Sequence, residues 1–247
     1  MDDIRGSVHG IDSWWTRYFI DPLAFRLAYL IANFSRISPN TVTLITFPII
    51  FVSAYFFFVG KPFYLIIGAF IYEFNFALDC VDGKLARVTG QTSKFGAFFD
   101  LYLDNFNVFI NLFALTYGQY RITGNDKFLI ICILYLFVHI TQQLNKYLAL
   151  HILGGGFKDK FYFENDLQVK KSFPKRIKSF FAKKKLNIVL FTTVEGEAFV
   201  FFFGPITGYI FESIFIALIL VSIFFALKTI FFMKSCIDLD KESRGSP

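Results

Sequence analysis

Residues 79–104 read DCVDGKLARVTGQTSKFGAFFDLYLD and contain four aspartates, Asp79, Asp82, Asp100 and Asp104. Apolar segments flank this stretch on both sides, so it predicts two helices joined by a short connection. In a helix, side chains three or four residues apart lie on the same face, and each pair of aspartates therefore shares a face. If the two helices are antiparallel neighbours, the stretch brings four carboxylates together at one end of the pair.

The composition of the whole chain is typical of a membrane protein. Of its 247 residues, 55% are hydrophobic, 21% are aromatic and 18% are charged. Soluble domains are usually about 45–50% apolar and about 25% charged, so an ordinary soluble globule is excluded, as are disordered and collagen-like chains. The three cysteines have no ligand-like spacing, which excludes a disulfide framework and a zinc site. The sequence contains no nucleic-acid-binding motif, and we expect no nucleic-acid partner.

Six stretches with few or no charges are predicted to cross the membrane as helices. A span needs about 20 residues to cross about 30 Å of hydrocarbon, and a helix satisfies its own backbone hydrogen bonds there. Six buried helices of a soluble protein are the alternative, but 247 residues are too few to surround them. The predicted fold class is therefore all-α, a polytopic membrane protein with six transmembrane helices. The stretches are 41–59, 63–78, 95–117, 128–148, 186–203 and 206–233.

The distribution of Lys and Arg predicts which side of the membrane each connection faces. Three connections, at 60–62, 118–127 and 204–205, together carry three basic residues. The opposite side includes residues 152–185, which hold ten Lys or Arg against three acids. Because cytoplasmic loops carry the excess of positive charge, we expect both termini and the aspartates to be cytoplasmic. The 152–185 loop is either a plain solvated loop or a surface that attracts anionic lipid headgroups or a phosphorylated substrate.

An amphipathic helix is predicted ahead of the first span. Asp21-Pro22 is expected to supply its N-cap and first helical residue. Apolar side chains then recur at helical spacing after the Trp14-Trp15 pair, which is typical of a helix lying in the headgroup plane. A helix packed on a soluble core is the alternative. The predicted organisation is a cytoplasmic N-terminus with this helix (1–40), a six-helix transmembrane domain (41–233) and a cytoplasmic tail (234–247).

The aspartates predict a metal site. A carboxylate inside a membrane costs about 2.5–3.5 kcal/mol even on the mild insertion scale, and four together also repel one another. Divalent cations remove both problems, and carboxylate and phosphate oxygens suit Mg²⁺ or Mn²⁺. Two such ions can clamp a pyrophosphate, while an acid without metal can act as general base. Gly83 allows close backbone approach, and Arg87 can pair with phosphate. These residues indicate metal-assisted transfer of a phosphoryl-type group at a membrane surface.

The spacing of these residues resembles the signature of the CDP-alcohol phosphotransferase (CDP-alcohol phosphatidyltransferase) family, Asp-x2-Asp-Gly-x2-Ala-Arg-x8-Gly-x3-Asp-x3-Asp. Ser38-Pro39-Asn40-Thr41-Val42-Thr43 also resembles the family's Pro-Asn-x-x-Thr entry motif. The six-span plan with an N-terminal amphipathic helix is the family's as well, so the resemblance covers about residues 22–233. All fixed positions of the signature match: Asp79, Asp82, Gly83, Ala86, Arg87, Gly96, Asp100 and Asp104.

The resemblance implies a reaction and a role for each of these residues. The family moves a substituted phosphate from a CDP-linked alcohol to a second alcohol and releases CMP, with CDP-diacylglycerol as the expected donor in phospholipid biosynthesis. It implies two Mg²⁺ or Mn²⁺ ions. Membrane lipids are the expected surroundings, and a homodimer is one possible assembly. The implied roles are metal binding for Asp79, Asp82 and Asp100, catalysis as the base for Asp104, and CDP binding for Gly83, Ala86, Arg87, Gly96 and Asn40.

Alternatives remain for the substrate and for the class of protein. A polar CDP-polyol donor is an alternative to CDP-diacylglycerol, and an unphosphorylated polyol or amino alcohol is favoured as acceptor because Arg176 is the only arginine near the acceptor candidates. An ion-coupled transporter is the alternative class, although it predicts inverted repeats that the sequence does not show. The acceptor candidates, each also explained by helix packing, are His139, Gln142, Gln143, Asn145, Lys146, Glu195 and Glu197.

Overall fold

The computed structural model describes residues 13–34, 38–152 and 191–245, and these residues form helices and no strand. The prediction of an all-α fold is thus confirmed for the described part of the chain. Two π-helical turns, Thr16–Ile20 and Phe199–Phe203, interrupt the α-helices. The α-helices are α1 (Asp21–Phe34), α2 (Pro39–Val59), α3 (Pro62–Thr89), α4 (Lys94–Thr123), α5 (Lys127–Ile152), α6 (Thr193–Ala198), α7 (Gly204–Thr207) and α8 (Ile210–Gly245).

In the described part of the chain, four helices are long and apolar enough to cross a membrane. They cover Thr41–Val59, Pro62–Thr89, Lys127–Asn145 and Ile210–Lys234, and they coincide with four of the six predicted spans. Helix α4 has 30 residues, and at a rise of 1.5 Å per residue it is about 45 Å long. Its buried and half-buried face carries polar side chains, which lowers its hydropathy. Most of the predicted 186–203 span forms α6 and the π-helical turn after it, and residues 186–190 lie outside the described residues.

The connection before the last predicted span lies at Gly208, whereas the sequence predicted it at 204–205. The chain was expected to turn at 204–205, but Gly204 has helical angles (φ −56°, ψ −55°) and the helical path continues to Thr207. Proline is tolerated in the first turn of a helix, so Pro205 does not end the path. The turn comes at Gly208, whose φ of +80° is readily adopted only by glycine.

Helices α2, α3 and α4 form the framework of the bundle, with α2 packed against both of the others. Gly118 of α4 allows the closest approach, because a Cβ there would lie 2.5 Å from the Phe57 carbonyl oxygen of α2. Phe57, Tyr72 and Phe201 are buried in the main apolar core, where the last two rings stack 4.2 Å apart. This core lies toward the α2–α3 turn and leaves the other end of α3 to the aspartates.

The N-terminal segment is attached to the bundle by polar contacts. Asp21 was expected to cap α1, but that prediction is wrong. Its backbone is helical (φ −55°, ψ −40°), its N–H donates to the Thr16 carbonyl, and its carboxylate pairs with Lys84 Nζ of α3 at 2.8 Å. Both side chains are almost fully buried. A few residues earlier, Trp15 Nε1 donates to Glu73 Oε2 at 3.1 Å. Two polar contacts, one to Glu73 and one to Lys84, therefore hold the start of the described chain against α3.

Helix α1 also packs its small side chains inward. Ala24 and Ala28 contact the cluster that includes Val81 and Leu85 of α3. Leu23 and Leu30, which belong to the predicted apolar stripe, are 41% and 50% exposed. The small residues thus bring α1 close to α3, while the large apolar side chains on its other face remain available to a membrane.

Candidate active site

Three of the four aspartates of the 79–104 stretch meet between α3 and α4. Asp79 and Asp82 lie in the last three turns of α3, and Asp100 lies near the start of α4. Helix α4 begins with Ser93 as N-cap, whose hydroxyl accepts a hydrogen bond from Gly96 N at 2.9 Å. One oxygen from each of the three carboxylates lies within 4.8 Å of the other two. We call these three residues the aspartate triad.

Asp82 is held in place by a residue that sequence reasoning left without a role. Thr43 of α2 donates a hydrogen bond from Oγ1 to Asp82 Oδ2 at 2.5 Å, and both side chains are buried. Ser38 caps α2 by accepting a hydrogen bond from Thr41 N at 3.2 Å, which sets where the helix starts. The sequence did offer a reason to single out Thr43, because it is the final residue of the Pro-Asn-x-x-Thr motif.

The aspartate triad fits a divalent cation. Carboxylate oxygens are the ligands that Mg²⁺ and Mn²⁺ prefer, and three converging carboxylates repel one another unless a cation lies among them. Asp100 Oδ1 is buried and accepts no hydrogen bond from the described part of the chain. The nearby Lys84 is engaged with Asp21. The triad thus supplies hard ligands, one of which has an oxygen without a hydrogen bond from any described residue.

Asp104 lies outside the triad, one helical turn along α4 from Asp100. Its side chain is exposed, and together with Asp79 it lines a small crevice of about 20 Å³. Asp104 is therefore not part of the triad, but it can contact a group that binds next to the triad. The crevice is lined by Thr46, Ile50, Asn75, Phe76, Asp79, Leu103, Asp104 and Asn107.

Comparison with known proteins agrees with this geometry. A family model described as CDP-alcohol phosphatidyltransferase matches residues 36–233. The chain belongs to the CDP-alcohol phosphatidyltransferase family. The resemblance drawn from the aspartate spacing is thereby confirmed, and together with the four apolar helices it makes the chain an integral membrane protein.

Individual relatives match over shorter segments. The chain is 37% identical over 82 residues to the archaetidylinositol phosphate synthase of Pyrococcus horikoshii, which covers 33% of this chain and 42% of that protein. It is 30% identical over 104 residues to a bifunctional IPC transferase and DIPP synthase of Thermococcus kodakarensis, covering 42% and 23%. The corresponding protein of Archaeoglobus fulgidus is 32% identical over 118 residues, covering 47% and 22%. Each match spans less than half of the curated relative.

The family's CDP-binding positions on α3 lie beside the triad. Gly83 and Arg87 are one turn apart, and a Cβ at Gly83 would meet Arg87 Nη1 at 3.5 Å, an ordinary van der Waals contact. Among the described residues, none would clash with a side chain at position 83. Arg87 is exposed and Ala86 half-buried.

The two remaining CDP positions of the family lie at helix starts. Gly96 is half-buried in the first turn of α4. Asn40 is in the first turn of α2, and its side chain lies outside the described residues.

Most of the acceptor candidates lie in contacts between helices. His139 Nε2 is 3.2 Å from Asn105 Oδ1, Gln142 donates to the Val221 carbonyl, and Asn145 donates to Thr229. These bonds join α5 to α4 and α8.

The two glutamates near the start of α6 also make contacts within the bundle. Glu195 forms a capping box with Thr192 and accepts a hydrogen bond from Trp14 N at 3.0 Å. Glu197 accepts from Tyr72 Oη at 3.3 Å. The Lys146 side chain lies outside the described residues.

Proposed function

We propose that this protein is an integral-membrane enzyme that transfers a substituted phosphate from a CDP-linked alcohol to an acceptor alcohol and releases CMP. The observation that supports this most is the aspartate triad, whose oxygens lie within 4.8 Å of one another. The triad occupies the fixed aspartate positions of the family pattern, and a fourth acid lies beside it in the crevice. An ion-coupled transporter would not require this arrangement at one end of a helix pair.

Each polar group then has a role in the reaction. Asp79, Asp82 and Asp100 would hold two Mg²⁺ or Mn²⁺ ions, which would supply the positive charge that stabilises the diphosphate and the leaving CMP. Asp104 accepts the proton of the acceptor hydroxyl as general base. The acceptor oxygen bonds to the phosphorus that carries the donor's alcohol, the bond from that phosphorus to the bridging oxygen breaks, and CMP leaves with the electron pair.

The donor nucleotide is held by the end of α3 and the helix starts around it. Arg87 pairs with a phosphate of the donor, since its guanidinium can form two parallel hydrogen bonds with phosphate oxygens. Gly83, Ala86 and Gly96 leave room for the nucleotide, and Asn40 completes its pocket. The absence of a clash within the chain at Gly83 supports this role.

We infer that the donor is a CDP-linked lipid, in the first place CDP-diacylglycerol, and that the enzyme serves phospholipid biosynthesis. The end of α3 that carries the triad continues a helix apolar enough to lie in a membrane, so a lipid donor can stay in the bilayer while its diphosphate reaches the triad. The name of the Pyrococcus horikoshii relative, archaetidylinositol phosphate synthase, supports a product of the phospholipid type.

The proposed topology has six spans and an interfacial helix. The spans are α2, α3, α4, α5, a segment that ends at Thr207, and α8. Helix α1 lies at the membrane surface, supported by the exposure of Leu23 and Leu30. In this topology both termini and the triad are cytoplasmic, which the excess of Lys and Arg in 152–185 supports. The proposed organisation is a cytoplasmic N-terminal region with the interfacial helix (1–40), the transmembrane domain (41–233) and a cytoplasmic tail (234–247).

Release of CMP by the purified protein tests the proposal. The protein in detergent is mixed with Mg²⁺, a donor (CDP-diacylglycerol, or CDP-glycerol as a polar CDP-polyol) and a panel of alcohols, and CMP is measured by chromatography. We expect CMP and the coupled product with CDP-diacylglycerol and one class of acceptor, and neither from the Asp79→Asn variant. CMP formed only from CDP-glycerol would overturn the lipid donor. No CMP from any pair would overturn the enzyme.

A further inference from the structure

Asn75 of α3 has a buried side-chain amide whose oxygen lacks a partner. The residue is 3% exposed, and its Oδ1 receives no hydrogen bond within the described residues. A buried polar atom without a hydrogen bond is unfavourable, and native proteins contain few of them. Such an atom is retained where a ligand or water supplies the missing bond.

The position of Asn75 shows which ligand this would be. Asn75 lies one helical turn before Asp79 on α3, and both residues line the same crevice as Asp104. Asn75 is buried while Asp104 is exposed, so the amide lies at the floor of the crevice and the carboxylate at its rim. A group bound at the floor is therefore a close neighbour of a group bound at the rim.

The size and lining of the crevice restrict what can occupy its floor. Its volume of about 20 Å³ is enough for roughly one water-sized group. No Lys or Arg is among the lining residues, so the crevice offers no basic side chain that would pair with a phosphate at its floor. The other amide in the lining, Asn107, already accepts a hydrogen bond on Oδ1 from Asn111 at 2.7 Å. The floor thus suits one small, uncharged hydrogen-bond donor.

We propose that Asn75 binds the hydroxyl next to the reacting hydroxyl of a polyol acceptor, and so selects acceptors with two neighbouring hydroxyls. This inference rests on the proposed function and names the acceptor class. The neighbouring hydroxyl donates its proton to Asn75 Oδ1 in a hydrogen bond and keeps it throughout the reaction. The reacting hydroxyl gives its proton to Asp104, and its oxygen forms the new bond to phosphorus while CMP departs. Asn75 therefore binds and orients the acceptor and takes no part in proton transfer.

A comparison of two acceptors tests the inference. Glycerol and 1,3-propanediol differ only in the central hydroxyl, and each is titrated as acceptor with CDP-diacylglycerol and Mg²⁺ in wild-type protein and in Asn75→Leu. The best polyol from the acceptor panel and its analogue without the neighbouring hydroxyl are treated in the same way. We expect Asn75→Leu to raise the KM for the polyol roughly 2- to 12-fold, the equivalent of one neutral hydrogen bond. The KM for the deoxy analogue and for the donor should stay unchanged.

Stability distinguishes this role from a structural one. Because Asn75 Oδ1 has no partner in the described chain, leucine of similar size should leave the unfolding midpoint unchanged or raise it. Asn111→Leu is the matched control: that amide is fully buried and bonded to Ser53 and Asn107, so leucine there should lower the midpoint. Asn75→Ala repeats the test with a smaller side chain.

Several results would overturn the inference. A lower unfolding midpoint in both Asn75 variants would assign the amide to the fold, and an unchanged polyol KM would remove it from the acceptor site. A wild-type enzyme that uses only acceptors without a neighbouring hydroxyl would contradict the acceptor class. In these cases the proposed function stands, because the wild-type protein still releases CMP. A wild-type protein that releases no CMP from any pair would instead overturn the proposed function, and the inference with it.

Discussion

Replacing Thr43 with valine removes the hydroxyl that donates to Asp82 and keeps the size of the side chain. Valine has nearly the same shape as threonine, so the packing of α2 against α3 is retained. What disappears is the bond from Thr43 Oγ1 to Asp82 Oδ2, which is 2.5 Å long and buried at both ends. Without it, the Asp82 carboxylate can rotate away from the triad and has to be reoriented when a cation binds.

The expected effect is a weaker metal site. A hydrogen bond to a charged group contributes about 1.5–3 kcal/mol, and at about 1.4 kcal/mol per factor of ten this corresponds to roughly 10- to 150-fold in affinity. Loss of a residue that orients a metal ligand typically costs about 10- to 100-fold in affinity or activity, in agreement with that range. We therefore expect Thr43→Val to raise the Mg²⁺ concentration for half-maximal CMP release by one to two orders of magnitude.

The assay is a Mg²⁺ titration of CMP release at saturating donor, repeated with Mn²⁺. Thr43→Ser keeps the hydroxyl and should restore most of the metal affinity. Thr116→Val is the matched control, since Thr116 is also buried and its hydroxyl donates to the Leu112 carbonyl at 2.7 Å, about four turns along α4 from Asp100. A Thr43→Val enzyme with the metal dependence of the wild type would refute the reasoning, as would an equal loss in Thr116→Val.

Three further predictions address the metal, the base and the topology. EDTA should abolish CMP release, and Mg²⁺ or Mn²⁺ should restore it; full turnover in metal-free buffer would exclude the metal site. Asp104→Asn should lower turnover about 10²- to 10⁴-fold while a CDP-alcohol still binds in Mg²⁺ buffer, whereas Asp79→Asn should weaken that binding as well. Near-normal turnover of Asp104→Asn would exclude Asp104 as the base. If Asp104→Asn loses donor binding as severely as Asp79→Asn does, Asp104 is one of the metal ligands. In a variant without the three native cysteines, a cysteine introduced in 154–185 should not react with membrane-impermeant thiol reagents in intact cells. If it is labelled as readily as a cysteine at position 123, in the predicted outside connection, the proposed orientation is reversed.

The Lys84–Asp21 pair engages the lysine of the 79–87 stretch outside the triad. Lys84 lies within the 79–87 stretch, where its charge could neutralise the aspartates and take the place of a metal. Instead its Nζ contacts Asp21 at 2.8 Å and lies 5.2 Å from the ring centre of Phe25, both near or in α1. Removing one partner of a buried ion pair typically destabilises a protein by about 3–5 kcal/mol. If the triad binds metal ions as proposed, the N-terminal segment keeps the charge of Lys84 from competing with them.

The sequence alone determined the all-α fold class and the family, and it predicted the chemistry of the site. In a membrane, an apolar stretch of about 20 residues can adopt few structures, because it must satisfy its own backbone hydrogen bonds. Four of the predicted spans coincide with helices apolar enough to cross a membrane. The spacing of Asp79, Asp82 and Asp100 needs only helical periodicity and one antiparallel turn to bring the carboxylates together. These are local properties of the chain, and they can be read without knowing which helices are neighbours.

Only the tertiary structure decided which distant side chains meet. The bond from Thr43 to Asp82 and the pairing of Asp21 with Lys84 join residues on different helices, and no periodicity in the sequence predicts the rotation of one helix against another. The same holds for Asn75, which reads as one more polar residue in an apolar helix until its burial beside Asp104 becomes visible. Helix rotation is set by the summed packing of many side chains, such as the close approach at Gly118, and that sum exists only once the helices have assembled.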